Sequence, residues 1–203
     1  MTKKIAFTLA EVLITLGIIG VVAAITIPNL ITNYKATRLK TQFFRVYSIL
    51  QQVSRNFIKD DLPIEVPFSS NQYYKTFLNY LPGATDCGTS YSKKCVNLSD
   101  YVATGYLDDG QIMLADGTIM LFEREGWITV DINGNKNPPN KYGVDVFLFQ
   151  IVDSEIKTMG DKGTRYPSEE YCSPKAGGGQ RFGCAHKAKT DSEYFKWVLK
   201  NVK

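Results

Sequence analysis

The run Phe7 to Leu30, FTLAEVLITLGIIGVVAAITIPNL, constrains this chain more than any other stretch. It is apolar almost throughout and as long as the ~20 residues a helix needs to cross a bilayer. Its one formal charge is Glu11, and a short basic segment with Lys3 and Lys4 precedes it. A secretory signal has a shorter apolar core, then small residues and a cleavage site. Here the run continues to Ile27 with no A-x-A-like site after it. A plain anchor gains nothing from a carboxylate, because charge inside a bilayer is costly. Glu11 therefore needs a partner or an interfacial position.

Past Pro28 the apolar residues thin to a stripe: Ala36, Leu39, Phe43, Val46, Leu50, Val53 and Phe57. Alternating steps of three and four make this one face of an amphipathic helix. Lys35, Arg38, Lys40, Arg45, Gln51, Gln52 and Arg55 stand between them and suit a wet face. Asp60-Asp61-Leu62-Pro63 ends the helix, since proline disfavours helix in the residue before it. From Phe7 to about Lys59 the helix is roughly 80 Å long. Pro28 removes a backbone donor and should kink it, while Gly17 and Gly20 permit close helix approach. The first half belongs in lipid or another apolar surrounding, the second against a domain.

The 203 residues leave one modest globular domain beyond that helix. Leu62 to Ser70 is a proline-punctuated connection. Asn71 to Leu81 reads as a short helix, with Ser69 or Ser70 as N-cap and Pro82-Gly83 as stop. A loop rich in Gly, Ser and Thr then carries Cys87 and Cys95. The triplet Asn97-Leu98-Ser99 fits a glycosylation acceptor, a pattern that chance often produces. From Gly110 the period is that of strands. Gln111–Leu114 and Thr118–Phe122 flank Asp116-Gly117, a hairpin signal. Trp127–Ile132 alternates, and Val144–Val152 is apolar on both faces. This predicts an α+β fold: about four antiparallel strands between residues 110 and 152, one face burying the helix stripe. Residues 153–203 lose periodicity and read as a loop region clamped at Cys172 and Cys184. Its closing segment, Tyr194 to Val202, fits a helix or a strand.

Four cysteines allow three connectivities. Local pairs, Cys87 with Cys95 and Cys172 with Cys184, are simplest, because each closes a short turn-rich loop. Metal binding is the rival, but neither spacing is C-x-x-C and the single histidine, His186, stands by one pair only. An anchor that carries the rest of the chain across the membrane puts these residues where disulfides persist. The formal charge of +4, or +2 without Lys3 and Lys4, is too slight to imply a nucleic-acid partner.

No catalytic set is expected. A hydrolytic triad needs a base beside its nucleophile, and His186 reads as part of a charged loop. Glu169-Glu170 and Asp108-Asp109 are neighbours that point apart in an extended segment. Gly177-Gly178-Gly179 does not open a helix. The chain reads as a non-enzyme that requires no cofactor. Calcium is the one candidate: Asp131, Asn133 and Asn135 alternate as in the opening of a calcium loop, with Asp145 coming after them. Gly134 comes early and no Glu closes the loop, so this is not an EF-hand. The same residues fit a hairpin turn on Asn133-Gly134, with Asn137-Pro138-Pro139-Asn140 as the rest of the connection.

From Lys3 to Leu30 the chain resembles the processing and methylation segment of type IV prepilins and type II secretion pseudopilins. Lys3 and Lys4 match the basic leader, Ala6-Phe7 the cut, Glu11 the acid and Pro28 the proline inside the helix. Ala6 stands where the family usually has Gly. The resemblance implies a leader, residues 1–6, removed by a prepilin peptidase that also methylates Phe7. Behind the leader it implies a transmembrane and filament-core helix (7–30), its amphipathic continuation (31–61) and a globular head (62–203). It implies a structural subunit, held first as a single-pass inner-membrane precursor with an extracytoplasmic head. An inner-membrane assembly platform would then stack it with other pilin or pseudopilin subunits into a filament. In such a filament Glu11 meets the N-terminal amine of a neighbour, and opposite charge at close range offsets burial. Some pseudopilin heads also hold calcium near this part of the sheet. The alternative, from another class, is a membrane-anchored binding module whose C-terminal loop recognises a surface, DNA or a secreted substrate. That needs neither cut nor polymer.

Overall fold

Thr8 caps a single helix, α1, that runs Leu9–Lys59, about 77 Å at 1.5 Å per residue. The computed structural model describes residues 8–64, 73–89, 95–96, 107, 109–123, 126–173 and 181–202. The Ala6-Phe7 junction, Ser69, Ser70, Asn97-Leu98-Ser99, Asp108 and Gly177-Gly178-Gly179 lie outside the described residues. Pro28 neither ends nor interrupts α1. Around its missing donor, the side chains of Thr26, Asn29 and Thr32 donate back to the carbonyls of Val22, Ile25 and Pro28 at 2.9, 3.2 and 2.9 Å. Back-bonding of this kind draws each side chain onto a carbonyl one turn back. The chain leaves α1 through Asp61 at φ 50°, with Leu62 N–H donating to the Phe57 carbonyl at 2.9 Å. A left-handed residue closing the last turn in this way stops a helix before a proline.

Six strands form one antiparallel sheet in sequential order: β1 Thr85–Gly88, β2 Gly110–Met113, β3 Ile119–Glu123, β4 Trp127–Asp131, β5 Val146–Val152 and β6 Glu155–Thr158. The central four are the strands predicted between residues 110 and 152. β1 and β6 are additional and correct the boundaries of 110 and 152. β1 is short and its register slips between Asp86 and Gly88, so it has no clean alternation to read. β6 is entered through a two-residue turn, Asp153-Ser154, with φ of 53° and 61°. That is the backbone of a primed hairpin turn, made without the usual Asn-Gly or Asp-Gly.

The short helices are α2 Tyr73–Asn79, α3 Ser168–Tyr171, α4 Cys184–Thr190 and α5 Tyr194–Asn201. Residues 153–203 are therefore not one long loop: they contribute β6 and three helices. Elements of four to eight residues make two turns at most, too few for a period to emerge. The closing segment takes the helical alternative, burying Tyr194, Phe195 and Val198.

All seven residues of the predicted stripe are buried against the head, none more than 8% exposed. Phe43 sits at the centre, its ring centroid 4.8 Å from Phe147 on β5 and 5.8 Å from Phe195 on α5. Three long side chains expected to be merely wet instead grip the head. Arg45 Nη2 donates to Thr118 Oγ1 at 2.6 Å and pairs with Asp116. Gln51 Nε2 donates to the Ile156 carbonyl at 2.7 Å, and Lys40 Nζ to that of Ser192 at 3.3 Å. They flank the stripe, so their length carries the polar ends to the rim of the seat. The opposite sheet face holds a second, smaller cluster, including Leu107, Leu121, Tyr142 and Val146. β5, buried from Val146 to Phe149, is covered on both sides, which is why it carries no polar face.

Cys87 bonds Cys95 and Cys172 bonds Cys184, with Cα atoms 5.6 and 4.7 Å apart. Each closes a short loop, so removing either pair as a double serine variant should cost about 2–4 kcal/mol by loop-closure entropy. Limited proteolysis should nick the affected loop well before denaturant melts the sheet. Non-reducing peptide mapping that linked the two loops to each other would contradict this pairing.

Candidate functional site

The apolar half of α1 has nothing in the head to bury it. From Leu9 to Ile31 every large apolar side chain is between 42% and 78% exposed. Covering that surface is worth on the order of tens of kcal/mol at about 1.5–3 per side chain. The segment is long and apolar enough to cross a membrane, with mean hydropathy 2.4 over its best window. Nothing lies within 4 Å of where a Cβ on Gly17 or Gly20 would stand, so another helix backbone can approach there. This surface must meet lipid, other protein, or both in turn.

Glu11 has a local role that spacing alone could have disclosed. Its Oε2 accepts from the backbone N–H of Thr8 at 2.8 Å and from Thr8 Oγ1 at 2.7 Å. Thr8 Oγ1 accepts in return from Glu11 N–H at 3.2 Å. This is a capping box, and Thr8-Leu9-Ala10-Glu11 is its T-x-x-E signature. It satisfies backbone donors that would otherwise be orphaned at the start of the helix.

The connection between β4 and β5 gathers Asp131, Asn133 and Asp145. Asp131 and Asp145 are fully buried. Asp131 Oδ1 accepts from the backbone N–H groups of Asn133 and Gly134 at 3.2 and 2.8 Å. Asp145 Oδ1 accepts from Lys141 N–H at 2.7 Å and its Oδ2 from Asn140 N–H at 3.0 Å. Asn133 Nδ2 leans on Asp145 Oδ2 at 3.4 Å. The turn on Asn133-Gly134 is thus built, with Gly134 at φ +80° and its missing Cβ leaving room for the Gly117 carbonyl of the neighbouring hairpin. Asn135 enters through its main chain, whose oxygen accepts from Asn140 Nδ2 at 2.8 Å. Asn140 and Asn137, which the sequence pattern did not single out as ligands, also bond within this loop, Asn137 Nδ2 donating to the Asn133 carbonyl at 2.6 Å. The side-chain oxygens of Asn133 and Asn140 are buried without a donor.

Burial pushes the Asp145 carboxyl up from 3.8 to about 6, and the nearby Asp131 charge adds to the rise. The backbone donors of Lys141 and Asn140 oppose it without cancelling it. Among the described residues, no group of three or more His, Cys, Asp or Glu side chains could hold a metal. Any cation in this loop would draw on two carboxylates and on Asn carbonyl oxygens, a hard oxygen set that suits calcium.

His186 lies on α4, not in a loop, with Nδ1 3.2 Å from Asp161 Oδ1. Lys189, one turn on, donates to Asp161 Oδ2 at 2.5 Å, and Thr158 Oγ1 donates there at 3.1 Å. Burial alone would push the Asp161 carboxyl up, but these partners hold it below its usual value. The cluster fastens α4 to the end of β6. Glu169 and Glu170, expected in an extended segment, instead lie in the single turn of α3. Comparison of the chain with protein families, with curated proteins and with solved structures finds no match.

Proposed function

We propose that this chain is a prepilin-like subunit of a type IV pilus or type II secretion pseudopilus. One observation carries the reading. A single unbroken helix is docked along its second half on a disulfide-closed head, while its first half stands bare and apolar around an acidic first turn. That division suits a part that waits in a membrane and then trades lipid for the helices of its neighbours. The work is mechanical: the apolar halves bundle, and the heads, carried on Phe43 and the rest of the stripe, form the outer surface. The chain then acts as no enzyme, and its partners are other subunits, a prepilin peptidase and an inner-membrane platform. Protein isolated from its host's membranes should begin at methylated Phe7. Intact-mass measurement or N-terminal sequencing checks this. Retention of Met1, or a cut beyond Ile27, would leave the membrane-anchored binding module as the better account.

A calcium role for the β4–β5 connection is a second reading, favoured by the two donorless Asn oxygens beside two buried carboxylates. Its test runs with pH. Asp145 has its folded-state value raised, so its contribution is fully present below about pH 4 and is lost as pH rises through about 6. Without divalent ions Asp145 by itself should therefore withdraw on the order of 3 kcal/mol over its whole titration, at 1.36 kcal/mol per unit. Calcium favours the ionised carboxylates and should offset that loss, and Asp131→Ala should abolish the offset. Thermal melts from pH 4 to 7, in chelator and in millimolar calcium, make the measurement. Identical curves in the two media would leave only the turn.

A further inference from the structure

Where the bare half of α1 meets the head, two cations stand without a partner. Lys40 and Arg45, farther along the helix, are taken up by the head. Lys35 and Arg38 are exposed and form no hydrogen bond or ion pair among the described residues. Three residues apart, they share one side of the helix. Together they line a cleft of about 260 Å³, whose other walls include Asn137, Pro138 and Pro139 of the β4–β5 connection and Leu199 of α5. Among the described residues no carboxylate lines it. Asp145, the acid behind Asn133, is fully buried and accepts from the main-chain N–H groups of Lys141 and Asn140. Lys136, exposed beside Asn137, adds to the positive charge of that wall.

The helix fixes the depth at which this cleft sits. From Glu11 to Tyr34 α1 rises about 35 Å. That is more than the ~30 Å hydrocarbon core of a bilayer and less than the ~40–45 Å that includes both headgroup layers. With Glu11 in one headgroup layer, Tyr34 therefore lies in the other. Tyr34 is 68% exposed, and a ring with a polar tip favours that level. Lys35 and Arg38 follow within about 6 Å along the axis, level with lipid phosphates. Phosphate is the partner both can use there, Arg38 through paired N–H donors and Lys35 as a point charge. The two prolines and Leu199 offer apolar contact to the glycerol beside it. A neutral ligand would leave both cations unpaired.

We propose that this cleft holds the headgroup of an anionic phospholipid and seats the head on the membrane surface. The inference rests on the membrane-held precursor read above, and names the lipid it meets. The test is native mass spectrometry of the full chain in neutral detergent with chelator, offered equal phosphatidylglycerol and phosphatidylcholine of matched acyl chains. The chelator keeps calcium from bridging lipid to Asp131 or Asp145. Bound lipid should be enriched in phosphatidylglycerol. Lys35→Gln and Arg38→Gln should each cut that enrichment about fivefold, the worth of one cation at an anionic surface. Arg38→Lys should keep most of it, and Lys59→Gln, at the far end of α1, should leave it unchanged. Lipid bound without preference would overturn the proposal and leave the membrane reading standing, as would a preference that neither Gln variant reduces. Displacement of the lipid by inorganic phosphate or a short DNA duplex, at matched ionic strength, would also overturn it. A chain that stayed out of the micelle would sink the membrane reading as well.

Discussion

Replacing Phe43 by alanine should cost the head about 3–5 kcal/mol, the usual toll for emptying a phenylalanine site in a packed core. Set against about 5–15 kcal/mol for a whole domain, that takes a large share of its stability. The reason lies in what the ring touches. Phe43 is fully buried, edge-on to Phe147, stacked near Phe149 and tilted against Phe195. It therefore joins three parts at once: α1, the central strand β5 and the closing helix α5. These neighbours are themselves large rings in a packed core, and β5 is held by ladders on both sides. The cavity should persist rather than collapse. Phe44 is the internal control: it is next in sequence, 37% exposed, and its ring meets Phe43 edge-on at 5.5 Å. Denaturant titration of the full chain in micelles, monitored by tryptophan fluorescence, should show Phe43→Ala shifting the midpoint far more than Phe44→Ala. Equal shifts would mean that the stripe does not carry the docking of α1.

That stripe was the most legible feature of the sequence, and the reason is length. Seven apolar residues over several turns of regular spacing leave no competing period, and all seven are buried. The central strands were legible by other marks: the Asp116-Gly117 turn between β2 and β3, the alternation of β4 and the long apolar run of β5. Legibility fails where an element is too short to repeat. β6 is four residues entered through Asp153-Ser154, and α4 is seven residues of which Cys184, Ala185 and Ala188 are buried. Small side chains in a single pair of turns give no hydrophobic signature; what holds α4 is its disulfide and the Asp161 contacts with His186 and Lys189.

The site residues divide along the same line. Asp131, Asn133 and Asp145 were legible as one group because two turn-forming residues and two strand ends fix them locally. Asn140 joins them through a backbone path that passes two prolines, which spacing does not encode. The ring contacts that join Trp127, Tyr166, Phe182 and Tyr142 were invisible in sequence for a stronger reason. Trp127, Tyr142, Tyr166 and Phe182 lie far apart along the chain and belong to no common period. Only the sheet register and a disulfide bring them together.

Glu11 is where the filament and plain-anchor readings part, and its capping role sharpens the test. In the filament reading the acid is the partner of an incoming N-terminal amine, which methylation leaves positive. Taking it away leaves that amine buried and unpaired, which should weaken each addition step by roughly a hundredfold or more. A plain anchor would instead tolerate Glu11→Leu or insert better with it. Yet Glu11→Leu also opens the box with Thr8, so a frayed first turn could mimic a lost charge. Two further variants separate these effects. Glu11→Gln can still close a capping box, since glutamine serves at that position, but it offers no charge. Thr8→Ala removes the cap and leaves the acid in place. All three should insert, and all three should be cut between Ala6 and Phe7. Glu11→Leu and Glu11→Gln should then fail to enter filaments, while Thr8→Ala should still assemble. The readout is polymer sheared from the cell surface, or overproduced pseudopilus, beside a membrane fraction probed for the mature chain. Normal polymer from Glu11→Gln would show that the acid serves only to start its own helix.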